Sequence, residues 1–119
     1  LAGYLLLADR LVADAGSAPS AVNFGPEPGA AVTVAKVVER VLTLWGAGRW
    51  EPVQEAQPQE AHALQLDIDL ATTTLGWRPR LDLDTTLAWT VDWWRAAARH
   101  QDLRRLALDQ IEAFEGLAR

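Results

Sequence analysis

Apolar residues at Tyr4, Leu7, Ala8, Leu11 and Val12 recur at helical spacing, and the pattern stops at Ala15-Gly16-Ser17. This predicts a first helix whose start lies upstream of Leu1. Residues 21–24 then predict a short strand closed by Gly25-Pro26, and Glu27-Pro28-Gly29 a turn in which two prolines forbid helix. Thr33 is a natural N-cap for a helix with Val34, Val37, Val38, Val41, Leu42 and Trp45 on one face and Lys36, Glu39, Arg40 and Thr43 on the other. Gly46 ends it.

Residues 49–53 form a second strand candidate, residues 54–62 a polar loop with no apolar period, and residues 64–66 a third strand candidate. Asp67 is placed to cap a short helix ending at Leu75-Gly76, where glycine can take the left-handed conformation. Asp82 caps the next helix, with Leu87, Val91, Trp94 and Ala98 on one face and Trp93 on its flank. A last helix over residues 102–117 repeats Leu103, Leu106, Ala107, Ile111 and Phe114. The pattern therefore predicts an α/β domain, mainly helical with a few short strands, spanning residues 1–119 without internal repeat or second boundary.

Composition narrows the function. At 119 residues, with 50% hydrophobic and 23% charged positions, the chain has the make-up of a soluble globular domain. Six Trp against one Tyr and two Phe place much apolar area in large rings, some of which would be exposed wherever a neighbouring segment is lacking. A net charge of -5 disfavours nucleic acid, whose backbone demands many Lys and Arg contacts. The apolar runs fall short of the roughly 20 residues a membrane span requires. With no Cys there is neither a disulfide nor a thiolate metal site, which is compatible with a reducing cytoplasm.

Most catalytic chemistries lack their residues here. A dinucleotide-binding turn connects a strand to a helix; Gly46-Ala47-Gly48 follows a helix, and Glu51, which would repel phosphate, occupies the third glycine position. The Tyr-Lys pair of a short-chain dehydrogenase is absent, since Tyr4 and Lys36 are the sole residues of their types and Ala8 stands four after Tyr4. His62 and His100 have no metal-ligand spacing around them, and Ser17 and Ser20 sit in no nucleophile elbow. His100 beside Arg99 fits a solvated group at a helix end. Trp45, Trp77, Trp93 and Trp94 fit packing better than base stacking. One polar pair stands out: in extended backbone Glu60 and His62 project to the same side. A carboxylate there could accept from two ribose hydroxyls and an imidazole donate to a phosphate or base carbonyl, although a solvated loop pair satisfies the same spacing.

Leu1-Ala2-Gly3-Tyr4-Leu5-Leu6-Leu7-Ala8, Val22-Asn23-Phe24-Gly25-Pro26, Glu60-Ala61-His62 with Leu66-Asp67, Leu75-Gly76-Trp77-Arg78-Pro79, Thr90-Val91-Asp92-Trp93-Trp94 and Leu108-Asp109-Gln110-Ile111 together resemble the last third of the CDP-glucose 4,6-dehydratases. These are extended short-chain dehydrogenase/reductases. The Leu-Gly-Trp-x-Pro step is common to many sugar-nucleotide epimerases and dehydratases, and the Glu-Ala-His element narrows the resemblance.

The resemblance implies a C-terminal substrate-binding domain, lacking the Rossmann domain, from a cytoplasmic and homodimeric enzyme. It implies NAD held in that N-terminal Rossmann domain, with none bound by this chain, and conversion of CDP-glucose to CDP-4-keto-6-deoxyglucose. It assigns Glu60 to the ribose hydroxyls of the nucleotide sugar and sets His62 beside it as a second substrate-binding residue. No catalytic residue falls within the chain, because the glycine-rich turn and the Tyr-Lys pair would precede Leu1. Gln59 stands where a His is expected before Glu60, and Leu70 where Lys is usual. Two other expectations stay open: the C-terminal part of another nucleotide-sugar epimerase or dehydratase, and a non-catalytic protein-binding module.

Overall fold

A computed structural model describes residues 1–30, 32–52 and 65–117. The element order is α1 (Ala2–Ala13), a 3-10 turn (Ala15–Ser17), α2 (Val34–Trp45), α3 (Asp69–Leu75), α4 (Leu83–Ala98) and α5 (Leu103–Glu115). The chain divides into two compact units, the first from Leu1–Ala31 and Pro58–Pro79, the second from Val32–Gln57 and Arg80–Arg119.

The helices start and stop where short-range chemistry dictates. Thr33 Oγ1 accepts from the Lys36 N–H at 3.3 Å, and Asp102 Oδ1 from the Arg105 N–H at 3.0 Å, each satisfying a first-turn donor that has no partner within its helix. Asp67 Oδ1 accepts from the Asp69 N–H at 2.9 Å, although the residue at the cap position itself is Ile68. Gly46 and Gly76 follow α2 and α3 with φ of 82° and 63°, left-handed values that cost other residues about 1–2 kcal/mol. His100 takes the same conformation after α4 without being glycine (φ 54°), and Gln101 N–H donates to the Ala96 carbonyl across it.

Asp82 caps α4 by accepting from the Thr85 N–H at 2.7 Å. That hydrogen bond, a second from the Thr85 hydroxyl and the attraction of Arg40 outweigh a small desolvation and hold its carboxyl below the ordinary 3.8. A carboxyl depressed on folding contributes stability above its unfolded pKa and loses it as pH falls through the folded one. The support it gives α4 should therefore fade below about pH 4. Asp82→Asn keeps a good cap but cannot titrate. The thermal midpoint should then fall less steeply between about pH 5 and pH 2.5 in the variant than in the wild type. Equal slopes in the two proteins would show that the charge at this position is idle.

In the first unit α1 packs on α3, with Gly3, Ile68 and Ala71 buried. In the second, α4 packs on α2 and on α5, with Val91 and Ala96 buried. Arg80 anchors the end of α5: its guanidinium lies 4.6 Å over the Phe114 ring and donates to the carbonyls of Glu115 and Leu117. Arg40 pairs with Asp84 in the first turn of α4, and Arg95 donates to the Leu44 carbonyl at 3.0 Å, so α4 is tied near both its ends to the second half of α2.

Two expectations are corrected. The α/β class is not found: no strand occurs among the described residues, and residues 21–24, 49–52 and 65–66 have no regular structure. Gly25 does lie against Leu66 and Ile68, but the polar link between these segments runs from the Asn23 side-chain amide to the Asp67 carbonyl at 3.3 Å. That is no backbone ladder. Apolar alternation marks a chain suited to a pleated surface, whereas a strand also needs a partner in register. On α4 the roles of the paired tryptophans are exchanged: Trp93 is half-buried and Trp94 is 59% exposed, because the buried line of the helix runs through Val91 and Ala96.

Candidate functional site

Glu60 and His62 lie outside the described residues, so the structure neither joins nor separates them. The described chain resumes at Gln65, and the residues that follow build the polar part of the first unit.

Its foundation is aromatic. Phe24 stands edge-on to Tyr4 at 5.3 Å and to Trp77 at 4.9 Å between ring centroids. Gly3 makes this possible, since a Cβ there would come within 2.5 Å of Cδ1 and 2.9 Å of Cζ of Phe24. The two motifs Gly3-Tyr4 and Leu75-Gly76-Trp77 therefore meet on the third, Val22-Asn23-Phe24-Gly25-Pro26.

On this base sits a shallow cavity of about 190 Å³ lined by Ala21, Val22, Asn23, Asp67 and Leu70. Asn23 spends its amide on the Asp67 carbonyl, while its own carbonyl oxygen can still accept. Asp67 Oδ1 is engaged by the Asp69 N–H, fixing the direction of the carboxylate. Leu70, 47% exposed on the first turn of α3, gives the cavity an apolar side. Close by in sequence, Arg78 pairs with Glu27 at 3.4 Å, joining the Leu-Gly-Trp-Arg-Pro step to the Glu-Pro-Gly turn. The pairings of Asn23 with Asp67 and of Arg78 with Glu27 span 44 and 51 residues, and periodicity carries no signal for them.

A groove of about 340 Å³ in the second unit is lined by Leu81, Thr86, Trp89, Thr90, Trp93, Trp94 and Gln110. Its hydroxyl and amide donors are engaged: Thr86 and Thr90 donate to the Asp82 and Thr86 carbonyls at 2.7 Å, and Gln110 Nε2 donates to the Trp89 carbonyl at 3.0 Å. The groove is chiefly aromatic surface. Trp93 and Trp94 meet edge to face at 5.2 Å within it.

No group of three or more His, Asp or Glu able to hold a metal ion occurs among the described residues. The Gly46-Ala47-Gly48 turn does not fit a dinucleotide: it follows a helix, and a Cβ on Gly48 would lie 2.8 Å from Leu42 Cδ2, so its glycine serves close packing on α2. No described helix is long and apolar enough to cross a membrane.

Comparison with known proteins adds a relative. The chain is 39% identical over 104 residues to the CDP-glucose 4,6-dehydratase of Salmonella typhimurium strain LT2, an alignment covering 87% of this chain and 29% of that protein. The chain thus spans less than a third of the length of the curated relative it matches. No protein-family model matches it.

Proposed function

We propose that the chain is the C-terminal, nucleotide-sugar-binding portion of a longer CDP-glucose 4,6-dehydratase and is inactive by itself. The observation that carries this is the 39% identity sustained over 87% of the chain. The meeting of Gly3-Tyr4, Val22-Asn23-Phe24 and Leu75-Gly76-Trp77 on one aromatic cluster supports it as well, because it gives the motifs that carry the resemblance a common structural purpose.

On this reading the longer protein converts CDP-glucose to CDP-4-keto-6-deoxyglucose and water in the cytoplasm, as a homodimer formed through its Rossmann-domain helices. NAD supplies the transient oxidation of the sugar and belongs to that Rossmann domain. This chain's share is recognition. Glu60 accepts from the ribose hydroxyls, and His62 stands beside it as a second substrate-binding residue. The carboxylate of Glu60 suits a ribose diol because each of its oxygens can accept one hydroxyl.

The test is made on the protein encoded together with its upstream sequence. With NAD and CDP-glucose it should form a product lighter by one water, whereas the 119-residue chain, freed of longer enzyme, should give none. Turnover by the short chain would overturn the proposal. Turnover by the longer protein of a different nucleotide sugar, with CDP-glucose untouched, would assign the chain to a sister epimerase or dehydratase.

A further inference from the structure

Helix α1 is apolar on two opposite sides. One side is used within the first unit: Gly3 is buried against Phe24 and Leu7 is half-buried. At about 100° per residue, Leu1, Leu5, Ala8 and Val12 fall within roughly 60° of one another on the other side, facing away from Gly3. Leu1 is 96%, Leu5 66% and Val12 90% exposed. No charge interrupts this stripe, which runs for about 16 Å. Helices α2 and α5 each carry a charged side, although Val34 and Ile111 on them are exposed as well. Helix α2 sets Lys36, Glu39 and Thr43 opposite its apolar face, and α5 sets Arg104, Arg105 and Glu112 away from Leu103, Leu106 and Phe114. A helix with a second apolar stripe beyond its own packing face, here separated from it on one flank by Asp9 and Arg10, has a further surface to cover.

We propose that this outward stripe of α1 is the surface on which the rest of the longer polypeptide packs. The inference rests on the reading of the chain as one portion of a longer dehydratase, and it names the partner of a face which that reading leaves bare. Two observations choose this occupant over a second copy of the chain. The relative's length exceeds the matched portion more than threefold, since the alignment covers 29% of it, so ample polypeptide is available. And a stripe of four residues is far smaller than the roughly 1,000 Å² a free-standing interface requires, whereas a covalently joined domain associates at high effective concentration and needs no such area. The occupant presents an apolar helix or sheet face free of unpaired charge, seated about 8–10 Å from the α1 axis if helical.

The experiment introduces Leu5→Asp with Val12→Asp, and separately the milder Leu5→Gln with Val12→Gln, into the longer protein and into the 119-residue chain. In the short chain both pairs should leave the thermal midpoint within about 2 °C of wild type, since the stripe already faces water. In the longer protein the Asp pair should lower it by about 5 °C or more, the Gln pair by less, with faster proteolysis between the two portions. An equal loss in both proteins would show that the stripe is covered from within this chain. A short chain that is dimeric by light scattering and becomes monomeric in the variants would assign the face to a second copy. No loss in the longer protein would leave it a free surface. Each of these outcomes overturns the inference. The wild-type longer protein's turnover of CDP-glucose is scored separately: a protein that responds to the substitutions but dehydrates nothing retains this interface and loses the proposed activity.

Discussion

Ile68→Ala is expected to destabilise the first unit by about 2–4 kcal/mol. Ile68 is 2% exposed and the largest side chain fully enclosed among the described residues. It sits at the cap position of α3, with Cγ2 beside Gly25, so it joins the start of that helix to the segment carrying Phe24. Removing three carbons forfeits about 0.8 kcal/mol each in transfer free energy. The cavity adds to this, because the neighbours that would have to collapse are fixed: Gly25 has no side chain to move in, and Asp67 is held by the Asp69 N–H. Ile68→Val should cost only about 0.5–1.5 kcal/mol, so the pair of variants reports packing rather than a change of local conformation. Urea unfolding followed by far-UV circular dichroism measures both. A loss below about 0.5 kcal/mol for the alanine variant would mean that the site is less enclosed than its exposure indicates.

The helix ends were legible from sequence because each is fixed by one or two residues acting over three or four positions. Thr33 and Asp82 cap as their chemistry requires, Asp67 holds the start of α3 from one residue before the cap position, and Gly46 and Gly76 stop α2 and α3 in the left-handed conformation. What sequence could not deliver depends on partners distant along the chain. Residues 21–24 have the β-branched and aromatic content of a strand, yet among the described residues their neighbour is reached through the Asn23 amide rather than a ladder. The exchange of Trp93 and Trp94 has a similar origin. A face drawn through Leu87, Val91, Trp94 and Ala98 assumes one broad contact, whereas α4 is packed by α2 and α5 together and buries Val91 with Ala96. The aromatic cluster was legible in its members and not in its geometry, since only Gly3, by lacking a Cβ, admits Phe24. Of the candidate site, the sequence named Glu60 and His62, which fall outside the described residues, and gave no sign of the cavity built by Asn23, Asp67 and Leu70.

Glu60→Gln in the longer enzyme should weaken CDP-glucose binding by about 1.5–3 kcal/mol, the usual worth of a hydrogen bond to a charged group. The reasoning is that of a bidentate acceptor. A carboxylate receives both ribose hydroxyls at once, while the amide of glutamine keeps one acceptor and turns a donor toward the other hydroxyl. That hydroxyl can then donate only elsewhere, and the loss falls on the ribose, which is remote from the reacting carbons of glucose. An interaction made equally in the ground and transition states appears as a raised KM with kcat little changed. CDP itself, which lacks the sugar but keeps the ribose, should lose affinity by the same factor, whereas Leu70→Lys should alter affinity without abolishing the difference between Glu and Gln at position 60. Isothermal titration with CDP and steady-state kinetics with CDP-glucose separate the outcomes. Wild-type affinity for CDP would make Glu60 a solvated loop residue, and unchanged affinity with lost turnover would give its carboxylate a part in the chemistry instead.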